Sequence, residues 1–217
     1  MSEPLSFAIV PVTPFQQNCS VVKCNATGKG AVIDPGGDLE LIVDAARELG
    51  ADVEKILVTH GHLDHAGATA ELARRLQVPV EGPQREDAFW IEGLEMQGQM
   101  FGLSTGEPFE PDRWLEGGDV VEVGALSFEV IHCPGHTPGH VVFFHRPSRL
   151  AFVGDVLFAG SIGRTDFPKG DAKALVSSIR ERLFPLGDDV RFVPGHGPMS
   201  TFGDERRTNP FVGDRRG

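Results

Sequence analysis

The first third of the chain alternates short runs rich in β-branched residues with turn residues. Residues 7–10, 20–22 and 31–33 form these runs, and Gln, Asn and Gly lie between them. Short runs bounded by such turn signals are typical of neighbouring strands. The pattern therefore predicts that the chain begins with an antiparallel sheet.

A helical period follows this sheet. The apolar positions of the period are Leu39, Ile42, Val43, Ala46 and Leu49. We expect Asp38 to cap this helix and Gly50 to end it, with one face packed on the sheet. Lys55–Val58 is predicted as the next strand, and residues 66–76, which are rich in small side chains, as the next helix.

The second half of the chain repeats the order of strands and then a helix. The predicted strands are residues 120–123, 126–131, 141–144, 150–153 and 190–193. Asp171 is expected to cap a helix with Leu175, Ile179 and Leu183 on its apolar face. This order predicts an α/β (α+β) protein in which two sheets pack together and the helices lie outside them.

The segment between the two halves is less regular. Residues 81–117 mix aromatic and Met side chains with several Gly and Pro. Such a segment either packs beside the core or forms a lid or a contact with a partner chain, and the composition favours packing. No linker, low-complexity tract or charge block interrupts the sequence, so a single domain over residues 1–217 is predicted.

Charge and composition restrict the expected partners. The chain has 20 Lys and Arg against 31 Asp and Glu, and its net charge of −11 argues against binding to nucleic acid. No apolar run approaches the ~18 residues of a membrane helix, so no membrane partner is expected. The first basic residue is Lys23, so no charged leader precedes an apolar segment.

Cysteine and tyrosine usage adds two expectations. Three Cys cannot form a disulfide framework, so we expect buried free thiols and a cytoplasmic location. Tyr is absent, so no phenol is available as a general acid or as a hydroxyl that holds a ligand.

The strongest chemical signal is the sequence H-G-H-L-D-H, which follows a predicted strand. In an extended segment, side chains two residues apart point the same way, so His60 and His62 can meet at one cation. Asp64 and His65 lie past a turn, so their side chains can meet at a second position beside that cation. A lone His is more often structural, but four residues of ligand type within six positions favour a metal site.

Three later loops carry further candidate ligands. His136, Asp155 and His196 lie beyond the ends of predicted strands, close to Gly. Glycine permits tight turns and close backbone approach, so separate strands can deliver these side chains to one edge of the sheets. Gly154–Asp155 taken alone is a weak signal, and its weight comes from the other motifs.

Five histidines and two carboxylates match two divalent cations that share a carboxylate. The predicted ligands are His60, His62 and His136 for one ion, Asp64, His65 and His196 for the other, and Asp155 as the bridge. Zinc is the favoured metal, with iron or manganese as alternatives. Two ions ~3.5–4 Å apart can hold a hydroxide near neutral pH and polarise the carbonyl that it attacks, which predicts hydrolysis.

The motif T-H-G-H-L-D-H, with the later P-G-H-T-P-G-H, G-D and P-G-H-G, resembles the metallo-β-lactamase superfamily. The whole chain resembles the short bacterial glyoxalase II-like branch of that superfamily. The resemblance implies a four-layer αββα sandwich with a dinuclear site at one edge of the sheets. It also implies hydrolysis of the thioester S-D-lactoylglutathione to D-lactate and glutathione. We expect a monomer or a homodimer.

The sequence departs from the glyoxalase II pattern in ways that leave the substrate open. The chain has no Tyr, and only a short tail follows the last predicted ligand where full-length glyoxalase II has a helical domain that helps to bind glutathione. Gly163–Phe167 and Asn209–Pro210 also resemble the persulfide dioxygenases of the superfamily, in which the residues matching His62, His136 and Asp155 hold one iron.

An iron-dependent persulfide dioxygenase is therefore the alternative function. Another hydrolase of the same fold, acting on a lactone, a β-lactam or a phosphoester, is a further alternative, and a non-catalytic zinc-binding protein is the least favoured. For thioester hydrolysis, Asp64 is expected to be the catalytic carboxylate, because it can orient the attacking hydroxide by accepting its hydrogen bond.

Four more residues are candidates for supporting roles. Arg164 and Asp166 either contact the substrate or pair with each other. Asp34 lies in a D-P-G turn that resembles a family turn behind the ligand loop, where it is expected to brace a ligand or its backbone. His140 either supports a ligand, faces the substrate or belongs to the core.

Overall fold

A five-stranded sheet forms the first half of the molecule. The computed structural model describes residues 3–102 and 106–214. In spatial order the strands of this sheet are β1 (Leu5–Val12), β2 (Gln17–Cys24), β3 (Lys29–Ile33), β4 (Asp52–Leu57) and β5 (Val80–Glu81). The first three strands are antiparallel, as predicted, and β3, β4 and β5 are parallel.

A six-stranded sheet forms the second half. In spatial order its strands are β13 (Ser200–Thr201), β12 (Arg191–Pro194), β9 (Leu150–Gly154), β8 (Val141–His145), β7 (Leu126–His132) and β6 (Val120–Val123). β12 runs parallel to β9, and the other neighbours are antiparallel. β8 and β9 are buried along their whole length, because both faces of the sheet are covered. A short hairpin of β10 (Leu157–Phe158) and β11 (Ser161–Ile162) follows β9.

Seven α-helices connect and cover these sheets within the described residues. They are α1 (Leu39–Leu49), α2 (Leu63–Ala66), α3 (Thr69–Leu76), α4 (Ala88–Glu92), α5 (Leu94–Phe101), α6 (Ala172–Ser177) and α7 (Phe202–Thr208). A π-helical turn over Ser178–Leu183 continues α6. Over residues 3–102 and 106–214, none of the helices has the length and apolar character that a membrane crossing requires.

Three buried apolar clusters create the layers. The cluster between the sheets joins Val22 and Ile33 of the first sheet to Phe128 and Phe143 of the second. A second cluster packs α1, α3, α4 and α5 on the outer face of the first sheet. A third packs α6, the π-helical turn and α7 on the outer face of the second sheet. The predicted four-layer αββα sandwich is therefore confirmed.

Two local predictions were wrong because distant contacts override the local pattern. Asp38 occupies the N-cap position of α1, but its side chain makes no capping hydrogen bond; the residue adopts a φ of 47°, and its Oδ2 accepts a hydrogen bond from the Thr13 N–H at 2.7 Å. The helix predicted over residues 66–76 is interrupted after α2. There the Ala68 N–H donates to the Pro35 carbonyl, and the Gly67 carbonyl accepts from the Gly106 N–H, so the helical hydrogen bonds are lost.

Other local predictions were confirmed. Gly50 ends α1 with a φ of 67°. Asp171 caps α6, because its Oδ1 accepts hydrogen bonds from the N–H groups of Lys173 and Ala174 at 2.8 and 3.0 Å. All three cysteines are buried and free.

Candidate metal centre

The predicted ligands lie at one edge of the two sheets, where several strands end. His60 and His62 follow β4, and Asp64 and His65 belong to α2. His136 follows β7, Asp155 directly follows β9, and His196 follows β12. The structure thus brings together seven side chains from four separate stretches of the chain, in two adjacent groups.

The first group consists of three imidazoles. His62 Nδ1 lies 3.1 Å from His60 Nε2 and 3.0 Å from His136 Nε2. A tetrahedral cation with bonds of ~2.05 Å separates its ligand nitrogens by about 3.3 Å. The three nitrogens therefore have a spacing that suits one such ion.

The second group consists of one carboxylate and two imidazoles. Asp64 Oδ2 lies 3.1 Å from His196 Nε2 and 3.8 Å from His65 Nε2. The ligand atoms of each group lie within 4.8 Å of one another. The sequence predicted this division into two groups. The extended H-G-H segment contributes His60 and His62 to the first group, and α2 contributes Asp64 and His65 to the second.

Asp155 lies between the two groups. Its Oδ1 is 3.2 Å from His65 Nε2, and its Oδ2 is 3.5 Å from His136 Nε2 and 3.8 Å from His196 Nε2. One carboxylate therefore contacts both groups, as a bridging ligand must.

The buried polar atoms of the centre fit a bound cation. Within the described residues, His65 Nε2 and Asp155 Oδ1 are buried, lie 3.2 Å apart and have no hydrogen-bond partner of good geometry. Buried polar atoms without partners are rare and destabilising. A cation between these atoms would satisfy both, and a set of imidazole nitrogens and carboxylate oxygens suits zinc, iron or manganese.

The second ring nitrogen of four histidines is occupied by a protein acceptor. The four contacts are His60 Nδ1 to Thr59 Oγ1 (3.0 Å), His65 Nδ1 to Asp34 Oδ2 (2.9 Å), His136 Nδ1 to the Arg164 carbonyl (2.7 Å) and His196 Nδ1 to the Phe15 carbonyl (3.2 Å). A proton on Nδ1 leaves Nε2 free to bind an ion. The protein thus aims each Nε2 at the centre.

Asp34 lies where the sequence analysis expected a brace. Besides His65, its carboxylate accepts hydrogen bonds from the backbone N–H and the hydroxyl of Thr59 at 2.7 and 2.6 Å. Asp34 is close enough to His60 and His65 to form a third possible ligand group. Its oxygens are already engaged, however, so Asp34 acts through His65 and Thr59. A Cβ on Gly36 in the same turn would lie 1.6 Å from the Asp64 carbonyl, so only glycine permits this approach.

His140 supports the centre from behind. It is fully buried, its Nε2 accepts a hydrogen bond from the Asp155 N–H at 3.1 Å, and its ring stacks on His60 with centroids 4.5 Å apart. Of the three roles considered for His140, contact with a ligand residue is the one that the structure shows.

Arg164 and Asp166 pair with each other. Two hydrogen bonds of 2.7 and 2.6 Å join the guanidinium to the carboxylate, and both side chains are exposed. Arg164 lines the cavity above the centre, whereas Asp166 does not. Contact of either side chain with a substrate stays a prediction.

Asp87 is a supporting residue that the sequence analysis missed. It is fully buried, and it accepts hydrogen bonds from the Gly61 N–H (2.9 Å), the Thr137 hydroxyl (2.7 Å) and the Gly139 N–H (2.6 Å). Asp87 thereby joins the loop of His60 and His62 to the loop of His136. Nothing in the irregular sequence around Asp87 marks this contact.

The environment sets opposite protonation in the two groups. Burial lowers the pKa of His60, and it lowers the pKa of His62 to about 3, so both imidazoles are neutral. Burial alone would also lower the pKa of His65, but Asp155 and Asp64 raise it. Burial would raise the pKa of Asp155, but the charge of His65 lowers it. Neutral imidazoles and ionised carboxylates are the forms that bind cations, so His60 and His62 are already in the binding form, whereas His65 must release a proton when an ion binds.

A cavity of about 730 Å³ opens above the centre. Its aromatic lining residues are Phe15, Trp90, Phe101, Phe158 and Phe167. Trp90 belongs to α4 and Phe101 to α5, so part of the segment that the sequence left irregular covers the site. Ile91 and Leu94 of the same helices pack in the core, so the segment both packs beside the core and covers part of the site, while a contact with a partner chain stays a prediction.

Comparison with known proteins agrees with this geometry. Residues 12–196, which include all seven predicted ligands, match the family model of the Metallo-beta-lactamase superfamily. The chain is 45% identical over 212 residues to hydroxyacylglutathione hydrolase GloC from Haemophilus influenzae, an alignment that covers 97% of this chain and 100% of that protein.

Two crystal structures are similar over almost the whole chain. BLEG-1 B3 metallo-beta-lactamase is 32% identical with a TM-score of 0.88, covering 95% of this chain and 99% of that one. TTHA1623 in a di-iron-bound form is 40% identical with a TM-score of 0.85, covering 94% and 99%. Family, fold and ligand geometry agree, and this chain therefore belongs to the metallo-beta-lactamase superfamily as a metal-dependent hydrolase.

Proposed function

We propose that this protein hydrolyses the thioester S-D-lactoylglutathione to D-lactate and glutathione, using two divalent cations. The observation that carries the proposal is the position of Asp155, which contacts both ligand groups beneath an open cavity. The similarity to hydroxyacylglutathione hydrolase GloC supports a thioester substrate, and the similarity to TTHA1623 in its di-iron-bound form supports two cations in the centre. Zinc is the favoured metal, with iron or manganese as alternatives, and the cytoplasm is the proposed location.

The proposed ligands are the seven residues described above. One ion would be held by His60, His62 and His136, the other by Asp64, His65 and His196, and Asp155 would be shared by both. Two cations in these positions would lower the pKa of a water and polarise a carbonyl oxygen. The histidines and their acceptors fix the ligand atoms in place, so the centre needs little rearrangement during the reaction.

The remaining chemistry requires few protein groups. A new C–O bond forms at the thioester carbon as the C–S bond breaks, and the thiolate leaves with the electron pair. Thiols have a pKa near ~8.5, so departure needs no strong general acid. The absence of Tyr from the sequence is compatible with this reaction.

Asp64 is the proposed catalytic carboxylate. It lines the cavity, and its Oδ2 contacts His196. From this position it can accept a hydrogen bond from the attacking water and orient it. Asp64→Asn, loaded with cations to the wild-type level, is expected to lower kcat on the order of 10²-fold. Unchanged turnover of the fully loaded variant would refute this role.

Metal analysis of the pure protein, combined with parallel assays, tests the proposed function. We expect two zinc ions per chain together with loss of S-D-lactoylglutathione. One iron per chain with O2 uptake on glutathione persulfide would instead support the dioxygenase alternative. Turnover of a β-lactam, lactone or phosphoester without thioester loss would support another hydrolase; the similarity to BLEG-1 is the reason to include a β-lactam.

A further inference from the structure

Aromatic side chains form the inner walls of the cavity above the proposed metal centre. The Trp90 and Phe167 rings lie 4.5 and 5.0 Å from the ring of His62, centroid to centroid. On the opposite side, Phe158 lies 6.2 Å from His196. A group bound at the centre is therefore in reach of apolar surface on two sides.

Two more aromatic residues extend the apolar surface to the mouth of the cavity. Phe15, from the turn between β1 and β2, packs edge to face against Phe101 of α5 with centroids 5.3 Å apart. Phe15 is 41% exposed and Phe101 is 54% exposed. Exposed apolar surface that is continuous with a site is typical of a surface that binds an apolar ligand.

Away from the proposed cations, the cavity offers few groups that would bind a charged ligand. Among its lining residues in the described part of the chain, Arg164 is the one Lys or Arg. Its guanidinium already binds Asp166 and lies 4.2 Å from the centroid of Phe167. Glutathione carries two carboxylates, and the strongest hydrogen bonds to a carboxylate come from cationic donors such as Arg. The net charge of −11 adds to this disadvantage.

The apolar walls therefore suit the acyl part of a thioester better than its peptide part. The lactoyl group presents one methyl group, whereas the cavity has a volume of about 730 Å³. A larger apolar side chain at the same position would contact walls that a methyl group leaves uncovered.

Resting on the proposed thioester hydrolysis, we propose that this site selects substrates by the acyl group. The preferred substrates are 2-hydroxyacyl thioesters with an aryl or branched apolar side chain in place of the lactoyl methyl. The thiol part extends into solvent and contributes little to selection. The reaction is unchanged: water adds to the thioester carbon, the C–S bond breaks, and the carboxylic acid and the thiol are released.

Four substrates separate the two parts of the thioester. They combine a D-lactoyl or a D-mandeloyl group with glutathione or with the neutral thiol N-acetylcysteamine. With both thiols, we expect kcat/KM for the mandeloyl compound to exceed that for the lactoyl compound by about 10-fold or more, because the added ring buries apolar surface. Exchange of the thiol is expected to change kcat/KM by less than about threefold.

The outcomes distinguish this inference from the proposed function. Efficient hydrolysis of lactoylglutathione alone would overturn the acyl selection, and a strict requirement for glutathione would overturn the minor role of the thiol. Either result would leave thioester hydrolysis intact. Failure to hydrolyse any of the four thioesters at full metal loading would overturn both.

A pair of phenylalanine variants tests the apolar surface at the mouth of the cavity. Phe101 lines the cavity and Phe211 does not, and both are 54% exposed, so the loss of either ring perturbs folding to a similar small extent. Phe101→Ala is expected to lower the mandeloyl to lactoyl ratio about threefold or more, through KM, whereas Phe211→Ala keeps the wild-type ratio. Equal ratios in the two variants would contradict the proposal.

Binding of the acid products gives a readout that does not depend on turnover. Calorimetry on the metal-loaded protein is expected to show D-mandelate bound about 10-fold more tightly than D-lactate, with a smaller difference in Phe101→Ala. Equal affinities for the two acids in the wild type would argue against an apolar acyl site.

Discussion

At the scale of single residues, the ligand geometry depends on buried acceptors that lie outside the metal motifs. Asp87 contacts both loops of the first ligand group, Asp34 holds His65, and the Arg164 carbonyl holds His136. Outer partners of this kind orient the ligands of metal sites, and their loss typically weakens metal binding by 10–100-fold. These contacts determine how well the centre is preorganised.

Asp87→Ala is expected to weaken binding at the ion site of His60, His62 and His136 by about 10–100-fold. The loops of this group lose their shared acceptor, whereas the other group keeps Asp34. Competition with a chelator measures the affinity of each site. Asp112→Ala is the control, because the exposed Asp112 also accepts a backbone hydrogen bond, from Val80 at 2.8 Å, outside the ligand loops. Equal metal affinities in the two variants would contradict the assigned role of Asp87.

Burial also makes Asp87 a source of pH dependence in the metal-free protein. It raises the pKa of Asp87 to about 6, whereas an unfolded Asp titrates near ~3.9. Between these values the folded chain retains a proton that the unfolded chain has lost. The free energy of unfolding therefore falls as the pH rises through this window.

Asp87→Asn has no carboxyl proton to lose at this position. From pH 4 to pH 7, the wild type is expected to lose on the order of 2 kcal/mol relative to this variant. Urea unfolding of both proteins in the presence of chelator measures the difference. Parallel profiles over this range would show that burial of Asp87 does not carry the effect.

At the scale of elements, each ligand loop starts where a strand ends, and glycine sets how closely two loops approach. Gly195 follows β12 and lies against the centre: an added Cβ would be 2.0 Å from Asp155 Oδ1 and 2.6 Å from His65 Cε1. No side chain fits there unless the bridging carboxylate moves.

Gly195→Ala is therefore expected to reduce the bound metal from two ions per chain to one or fewer, measured by elemental analysis. Gly28→Ala is the matched control. A Cβ at Gly28 meets nothing within 4 Å, but the φ of 75° makes the substitution strained, at a cost of about 1 kcal/mol. The control should lose stability and keep both ions. Full metal content in Gly195→Ala would contradict the close approach.

The positions of the strand ends and the two groups of side chains could be predicted from the sequence, because short stretches of the chain carry their signals. Short β-branched runs between turn residues mark the strands, and the H-G-H-L-D-H segment contains its own division into two groups. The residues that were missed depend on contacts between distant segments. The side chain of Asp38 bonds to Thr13 instead of to the first turn of its helix, and Asp87 bonds to loops that lie far away in the sequence. No local pattern encodes such contacts.

At the scale of the whole molecule, the sandwich itself assembles the centre. β4 belongs to one sheet, while β7, β9 and β12 belong to the other, so the seven side chains meet only after the sheets have packed. The core between the sheets, with Phe128 and Phe143 opposite Val22 and Ile33, therefore also fixes the site. The organisation of residues 1–217 as a single domain stays a prediction, and so does the oligomeric state of a monomer or a homodimer.

Anomalous diffraction at the zinc edge, from crystals loaded with zinc, tests the central claim most directly. We predict two peaks ~3.5–4 Å apart, with Asp155 next to both. One peak is expected among His60, His62 and His136, and the other among Asp64, His65 and His196. A single peak, or none, with these side chains fully ordered, would contradict a dinuclear centre.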